Sequence, residues 1–360
     1  MTKKTRSTLS YFYWAFGLTA LGLVGGAFLG WQTTGNLSGA LTTLFICAVL
    51  GVLEISLSFD NAIVNARKLQ DMTPKWQQRF LTWGIIIAVF GMRILFPLAI
   101  VAVATHVSPV EAFNIAVFDP DRYAHIMEDA HVSISAFGGT FLLMVGLTYF
   151  FDSEKDVHWI AALEKKMVRT SVRGIEVGVA LSLVLIFTYM LEGEEATTFL
   201  YSAVWGMVVF LAVEVLGELL DQTEETLSAA ARGGFGAFLY LEVLDASFSF
   251  DGVIGAFALS KNLFVIAIGL GIGALYVRSL TIMLVDKGTL AEYRYLEHGA
   301  FYAIIVLALI MYLQTLMDVP EVVTGLAGAS LILVSLRASI RYNRRHPETV
   351  ENDLDAAGRI

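Results

Sequence analysis

The chain has 360 residues, of which 56% are hydrophobic and 16% charged, with a mean hydropathy of +0.68. Soluble domains run at about 45–50% apolar and about 25% charged, so a soluble enzyme, a disordered tail protein and a secreted disulfide scaffold are excluded. A single cysteine, Cys47, leaves no intrachain disulfide or cysteine metal cluster, and the net charge of -9 argues against a nucleic-acid partner.

Apolar runs long enough to span a bilayer, or nearly so, follow one another along the chain: 11–30, 40–66, 80–105, 132–151, 175–190, 198–217, 235–259, 262–285, 298–316 and 322–340. None alternates like a barrel strand over its length, so the expected fold is all-α. It is a polytopic transmembrane helical bundle of about ten spans, forming one membrane domain over 1–360. The first run is too long for a signal peptide and lacks a small-x-small cleavage site, so it reads as an uncleaved span. The span 175–190 is the weakest, being short and opening near Glu176. The connector 106–131 is acidic and amphipathic, and 152–174 reads as a short basic surface helix. Both are most simply solvated connectors.

Charge orients these spans, because Lys and Arg accumulate in cytoplasmic loops. With both termini inside, 20 of the 24 Lys and Arg lie in inner segments and only Arg122 and Lys261 lie outside. Arg93 and Arg278 fall within spans. The acidic inner segment 218–232 is the poorest fit.

Two spans carry related motifs. Glu54-Ile-Ser-Leu-Ser58-Phe-Asp60-Asn61 aligns without gaps on Asp245-Ala-Ser-Phe-Ser249-Phe-Asp251-Gly252. Each is followed by a span with an internal arginine, Arg93 or Arg278. A third helix then opens at an acid and a histidine, Asp129 and His131 or Glu297 and His298. This is a three-helix internal repeat, over 40–151 and 235–316. The two copies begin on spans of opposite direction, so the repeat is inverted, an arrangement that places transporter sites near the midplane.

An ionised residue at the bilayer centre costs roughly 2.5–3.5 kcal/mol. Five acids in the motif spans, Glu54, Asp60, Glu242, Asp245 and Asp251, would cost on the order of 10 kcal/mol unpaired. Two arginines offset at most two of them, leaving a preference for a cation or protons. Carboxylates, the Ser58 and Ser249 hydroxyls and the Asn61 amide form an all-oxygen donor set, suited to hard divalent ions rather than zinc or copper(I). The motif polar residues alternate with apolar ones, so a continuous helix pairs Glu54 with Ser58, whereas an unwound stretch aims them all one way. No proline breaks either motif, and the mostly helical reading is favoured.

The other polar groups have plainer readings. Glu176 and Glu214 lie near interfaces, and His131 and His298 read as helix caps or proton relays. Cys47 reads as packing. The glycine clusters around 25–26, 233–236 and 269–273 permit close helix approach rather than phosphate binding. No H-E-x-x-H or G-x-S-x-G element is present, and no enzyme is expected.

The residues carrying the charge also carry a resemblance. Glu54-x-x-x-Ser58-x-Asp60-Asn61 and Glu242-x-x-Asp245-x-x-Phe248-Ser249-x-Asp251 resemble the paired acidic motifs of the TerC family of integral membrane proteins. Ala136-Phe-Gly-Gly-Thr-Phe-Leu-Leu-Met144 and Tyr295-Leu-Glu-His-Gly-Ala300 look like its bacterial branch, grouped with LysE-type exporters. The resemblance implies a protein of the bacterial cytoplasmic membrane that exports a divalent cation, manganese first, with the five acids as its site. Proton coupling is expected, with lipid, the metal ion and protons as partners and no resident cofactor. Two rivals stand beside this reading: an exporter of a small organic solute, which needs a roomier, aromatic-walled cavity, and a non-transporting scaffold for stress resistance or metal loading.

Overall fold

A computed structural model of the chain describes residues 7–70, 72–172, 174–224 and 234–347. Helix α1 (Tyr13–Thr34) turns directly into α2 (Leu37–Leu57). Gly35 makes the turn at φ +68, a conformation that favours glycine, and the Asn36 side chain caps α2 by accepting the Gly39 N–H at 2.8 Å. After α3 (Phe59–Gln70), α4 (Pro74–Ile86) passes into a π-helical stretch, Ile87–Leu95, and on into α5 (Phe96–Ala104). Pro97 stands at the start of α5 and has no N–H to offer the Arg93 carbonyl one turn back. The widened turn thus ends beside a missing donor.

The connector 106–131 is not a solvated loop. It forms α6 (Pro109–Phe118) and α7 (Pro120–Asp129), each with proline in its first turn and a capping side chain, Ser108 or Asp119. Tyr123 and Met127 of α7 are buried, and the Tyr123 ring meets Phe257 at 5.6 Å. Helices α8 (His131–Phe151), α9 (Ala161–Arg169), α10 (Ile175–Met190), α11 (Gly193–Glu224) and α12 (Phe235–Leu259) follow. The described chain ends with α13 (Leu263–Asp286), the single turn α14 (Thr289–Glu292), α15 (Leu296–Gln314) and α16 (Glu321–Arg345).

Eight helical runs among the described residues are long and apolar enough to cross a membrane: α1, α2, Pro74–Val103, α8, and parts or all of α11, α13, α15 and α16. The chain is therefore a multi-pass, all-helical membrane protein. Two of the ten expected spans fall outside this set. Helix α10 has only 16 residues, and α12, at 25, carries Glu242, Asp245 and Asp251.

The helices form two compact units, and the chain passes between them repeatedly. The first comprises 1–58, 78–131 and 249–283. Here α1 lies on α2, with Gly26 against the Cys47 sulfur, and α13 approaches α2 through Gly269 and Gly273. A Cβ on Gly273 would fall on the Glu54 side chain. Small residues of this kind let helix backbones close up where no hydrophobic drive separates lipid from protein. Cys47 is thus a packing residue. The α1 side chains Trp14, Leu21, Val24 and Phe28 are exposed, as a lipid-facing surface requires.

The second unit comprises 59–77, 132–248 and 284–360. Its α15 packs on both α16 and α3, and α10 packs on α11. Helix α8 is almost wholly buried; Gly139 abuts Tyr312, whose hydroxyl bonds Thr140 at 2.6 Å. The arginine-bearing second helices of both repeat copies belong to the first unit. The third helices, α8 from Val132 onward and α15, belong to the second. The motif stretches are divided at 58/59 and 248/249, within one residue of the same aligned position.

Candidate functional site

Within the first unit, α2 buries Glu54 at 3% exposure. Arg93 of the π-helical stretch donates Nη2 to Glu54 Oε1 and Nη1 to its own Ala88 carbonyl at 2.6 Å. The second bond reaches back five residues, within the π-helical stretch itself. Ser58 Oγ also donates to Glu54 Oε1, at 3.2 Å, which is the pairing a continuous helix predicts. Yet α2 stops at Leu57, and Ser58 joins it to α3 with its own N–H still bonded to the Glu54 carbonyl. The first motif is therefore two helices meeting at a bend, whereas the second lies inside the single helix α12.

The motif does not aim its serines alike. Ser56 is exposed and bonds its own Val52 carbonyl at 2.8 Å, so it faces away from Glu54. Ser249 is buried, and its hydroxyl has no hydrogen-bond partner among the described residues. Gly252 replaces the first copy's Asn61, and a Cβ there would lie 2.9 Å from Glu54 Oε2. The side chain of Asp251 lies outside the described residues. Arg278 is buried, with its guanidinium over the Phe80 ring at 3.8 Å.

Within the second unit, α3 presents Asp60, Asn61 and Asn65, all buried. Asp60 Oδ1 accepts the Asn61 N–H at 3.0 Å. Asn65 Nδ2 donates to Asp245 Oδ1 at 2.7 Å, which fixes the amide so that its oxygen points elsewhere. The amide oxygens of Asn61 and Asn65, four residues apart on one helical face, are both buried and have no hydrogen-bond partner among the described residues. Buried polar atoms in native proteins nearly always have one, so the pair demands an explanation. Glu242 is buried on α12, one turn before Asp245. Among the described residues no three His, Cys, Asp or Glu side chains are gathered as a metal cage would need.

The second unit also holds a polar cluster that the sequence does not advertise. Glu164 of α9 is completely buried and accepts the N–H groups of Trp159 and Ile160 and the Tyr302 hydroxyl. Lys155 lies 3.2 Å from it, and His298 Nε2 lies 3.3 Å away while also meeting the Val157 carbonyl at 2.8 Å. The Lys155 ammonium sits over the Tyr149 ring at 4.1 Å. Burial pushes the Glu164 carboxyl up, but His298, the Ile160 N–H and Lys155 outweigh it and hold it down at about 2. Burial pulls Lys155 below the ordinary lysine value although Glu164 raises it. His298 is therefore a buried clasp between 152–169 and α15 rather than a helix cap. His131 opens α8 and lies in the other unit. Asn65, Glu164 and Lys155 were invisible as functional residues in the sequence; only the four-residue spacing of Asn61 and Asn65 offered a signal.

Buried carboxylates, one on α2 paired with Arg93 and another on α12 held by the Asn65 amide, define a polytopic membrane protein that keeps charge in an apolar interior. Residues 59–346 match the family described as a protein of unknown function, DUF475. The chain belongs to that family. No curated protein matches it, and no solved structure does.

Proposed function

We propose that the chain is a transporter that exports a divalent metal cation, manganese first, in exchange for protons. The observation that carries this reading is the α3 surface: two buried amide oxygens without donors, on the helix that also buries Asp60 and binds Asp245. Amide and carboxylate oxygens are the donors hard divalent ions prefer. Glu54, Glu242 and Asp251 belong to the same motifs, and the resemblance of those motifs to the TerC family supports efflux. Ten spans with both termini cytoplasmic complete the proposal. His131 and His298 remain candidates for the proton path.

The test is manganese flux in vesicles bearing the purified protein. Asp60→Asn and Asp245→Asn are each expected to abolish flux while the protein still inserts and migrates as a single species. Wild-type flux through both variants would overturn the proposal.

One observation favours a second reading, the export of a small organic solute. The second unit contains an open cleft of about 330 Å³ whose wall includes Phe210, Tyr240 and Phe301. Competition of organic anions or amino acids for flux would favour that reading over the metal.

A further inference from the structure

The cleft in the second unit has a chemistry and a depth of its own. Its apolar wall is formed by Val64, Phe210 and Phe301, and its charged wall by Arg67 and Lys68 of α3 with Glu214 of α11. Arg67 is held in place by Nε donating to Glu297 at 3.1 Å, and the Lys68 ammonium lies 5.5 Å from the Tyr240 ring centroid. Glu297 offsets Arg67 from behind the lining, and Lys68 is the lining cation without a carboxylate partner among the described residues.

Every helix contributes to this cleft from the same end. Arg67 and Lys68 close α3, which stops at Gln70, and Thr148 lies one turn from the end of α8. Gly236 opens α12, and Phe301 lies in the second turn of α15. The segments following or preceding these ends hold ten of the chain's 24 Lys and Arg, including Lys75, Arg79, Lys165, Lys166 and Arg169. By the charge rule this is the cytoplasmic end, where the leaflet is anionic. The cleft thus lies at headgroup depth, open on one side, with cations beside an apolar wall. Basic pockets between membrane helices on that side are where acidic headgroups bind.

We infer that this cleft binds the headgroup of an anionic phospholipid, its phosphate on Arg67 and Lys68 and the start of its acyl chains along Val64, Phe210 and Phe301. A free organic anion shares the headgroup's charge but brings no acyl chain to the apolar wall, which is why the lipid is favoured.

The full-length protein, in phosphatidylcholine nanodiscs with or without phosphatidylglycerol, tests this by native mass spectrometry of the lipids retained after extraction. Phosphatidylglycerol is expected to be retained over phosphatidylcholine. Lys68→Gln should lower that retention about fivefold, the weight of one basic residue at an anionic surface. Ala237→Trp, which fills the cleft without removing a charge, should lower it as far or further. Equal retention of the two lipids by the wild type would overturn the inference. So would wild-type retention by either variant. Complete displacement of phosphatidylglycerol by soluble glycerol phosphate would also overturn it, by assigning the cleft to a free anion; this arm needs no variant.

Discussion

Gly252 occupies the position that Asn61 holds in the first motif, and the difference has a steric reason. A Cβ at 252 would stand 2.9 Å from Glu54 Oε2, on a carboxylate whose other oxygen, Oε1, is anchored by Arg93 and Ser58. Gly252→Asn should therefore cost about 1–3 kcal/mol, as overpacking does in a filled interior. Gly252→Ala should cost less, and thermal unfolding in detergent measures both; equal melting of all three proteins would refute the placement. Glu164 gives a pH dependence with a definite sign. Its carboxyl is held at about 2 against an ordinary value of 4.5, so its stabilisation is complete above about pH 4.5 and fades as pH falls toward 2. The amount at stake is on the order of 2–3 kcal/mol. Acidification from pH 5 to 3 is expected to raise protease sensitivity within 152–169, and Glu164→Gln should be sensitive already at pH 7. The sequence showed the acids of the motif because they interrupt apolar runs. It could not show Glu164, whose setting among Lys165, Lys166 and Arg169 is that of any exposed amphipathic turn.

At the scale of the element, the π-helical stretch decides where Arg93 points. Pro97 withholds a donor one turn after Arg93, and the widened turn supplies the Ala88 carbonyl that the guanidinium grips. Pro97→Ala restores an N–H there and should close the turn to ordinary α geometry, rotating Arg93 off Glu54. The expected result is a loss of stability approaching that of Arg93→Ala, several kcal/mol for an uncoupled buried charge. Unchanged melting of Pro97→Ala would show that packing alone holds the π turn. Span positions were legible here because an apolar run of bilayer length has few alternatives. The turn type was not, since a π turn leaves hydrophobic periodicity almost unaltered. Nor was the bend at Ser58, where no glycine or proline marks the break. The short basic helix expected in 152–174 is present as α9, but the burial of Glu164 there, and of Tyr123 in 106–131, was not legible, for a related reason. Their burial depends on partners distant in sequence, Phe257 for Tyr123 and His298 for Glu164.

For the whole molecule, topology turns on α10, which at 16 residues is short for a crossing. If it spans, Glu194 beyond it faces outward. A cysteine placed at Glu194 in a Cys47→Ala background should then react with an impermeant maleimide added to intact cells, and one at Arg345 should not. Protection at Glu194 would remove α10 from the spans and with it the count of ten. The tight α1–α2 turn at Gly35 and Asn36 also bears on how the protein is made. The pair leaves the ribosome as one hairpin carrying Glu54, ahead of Arg93, which follows 39 residues later in the chain. Its acid must enter the bilayer without its guanidinium, at roughly 2.5–3.5 kcal/mol, sheltered by the apolar helix it is folded against. Biogenesis thus depends on the hairpin arriving first and waiting for its counter-charge.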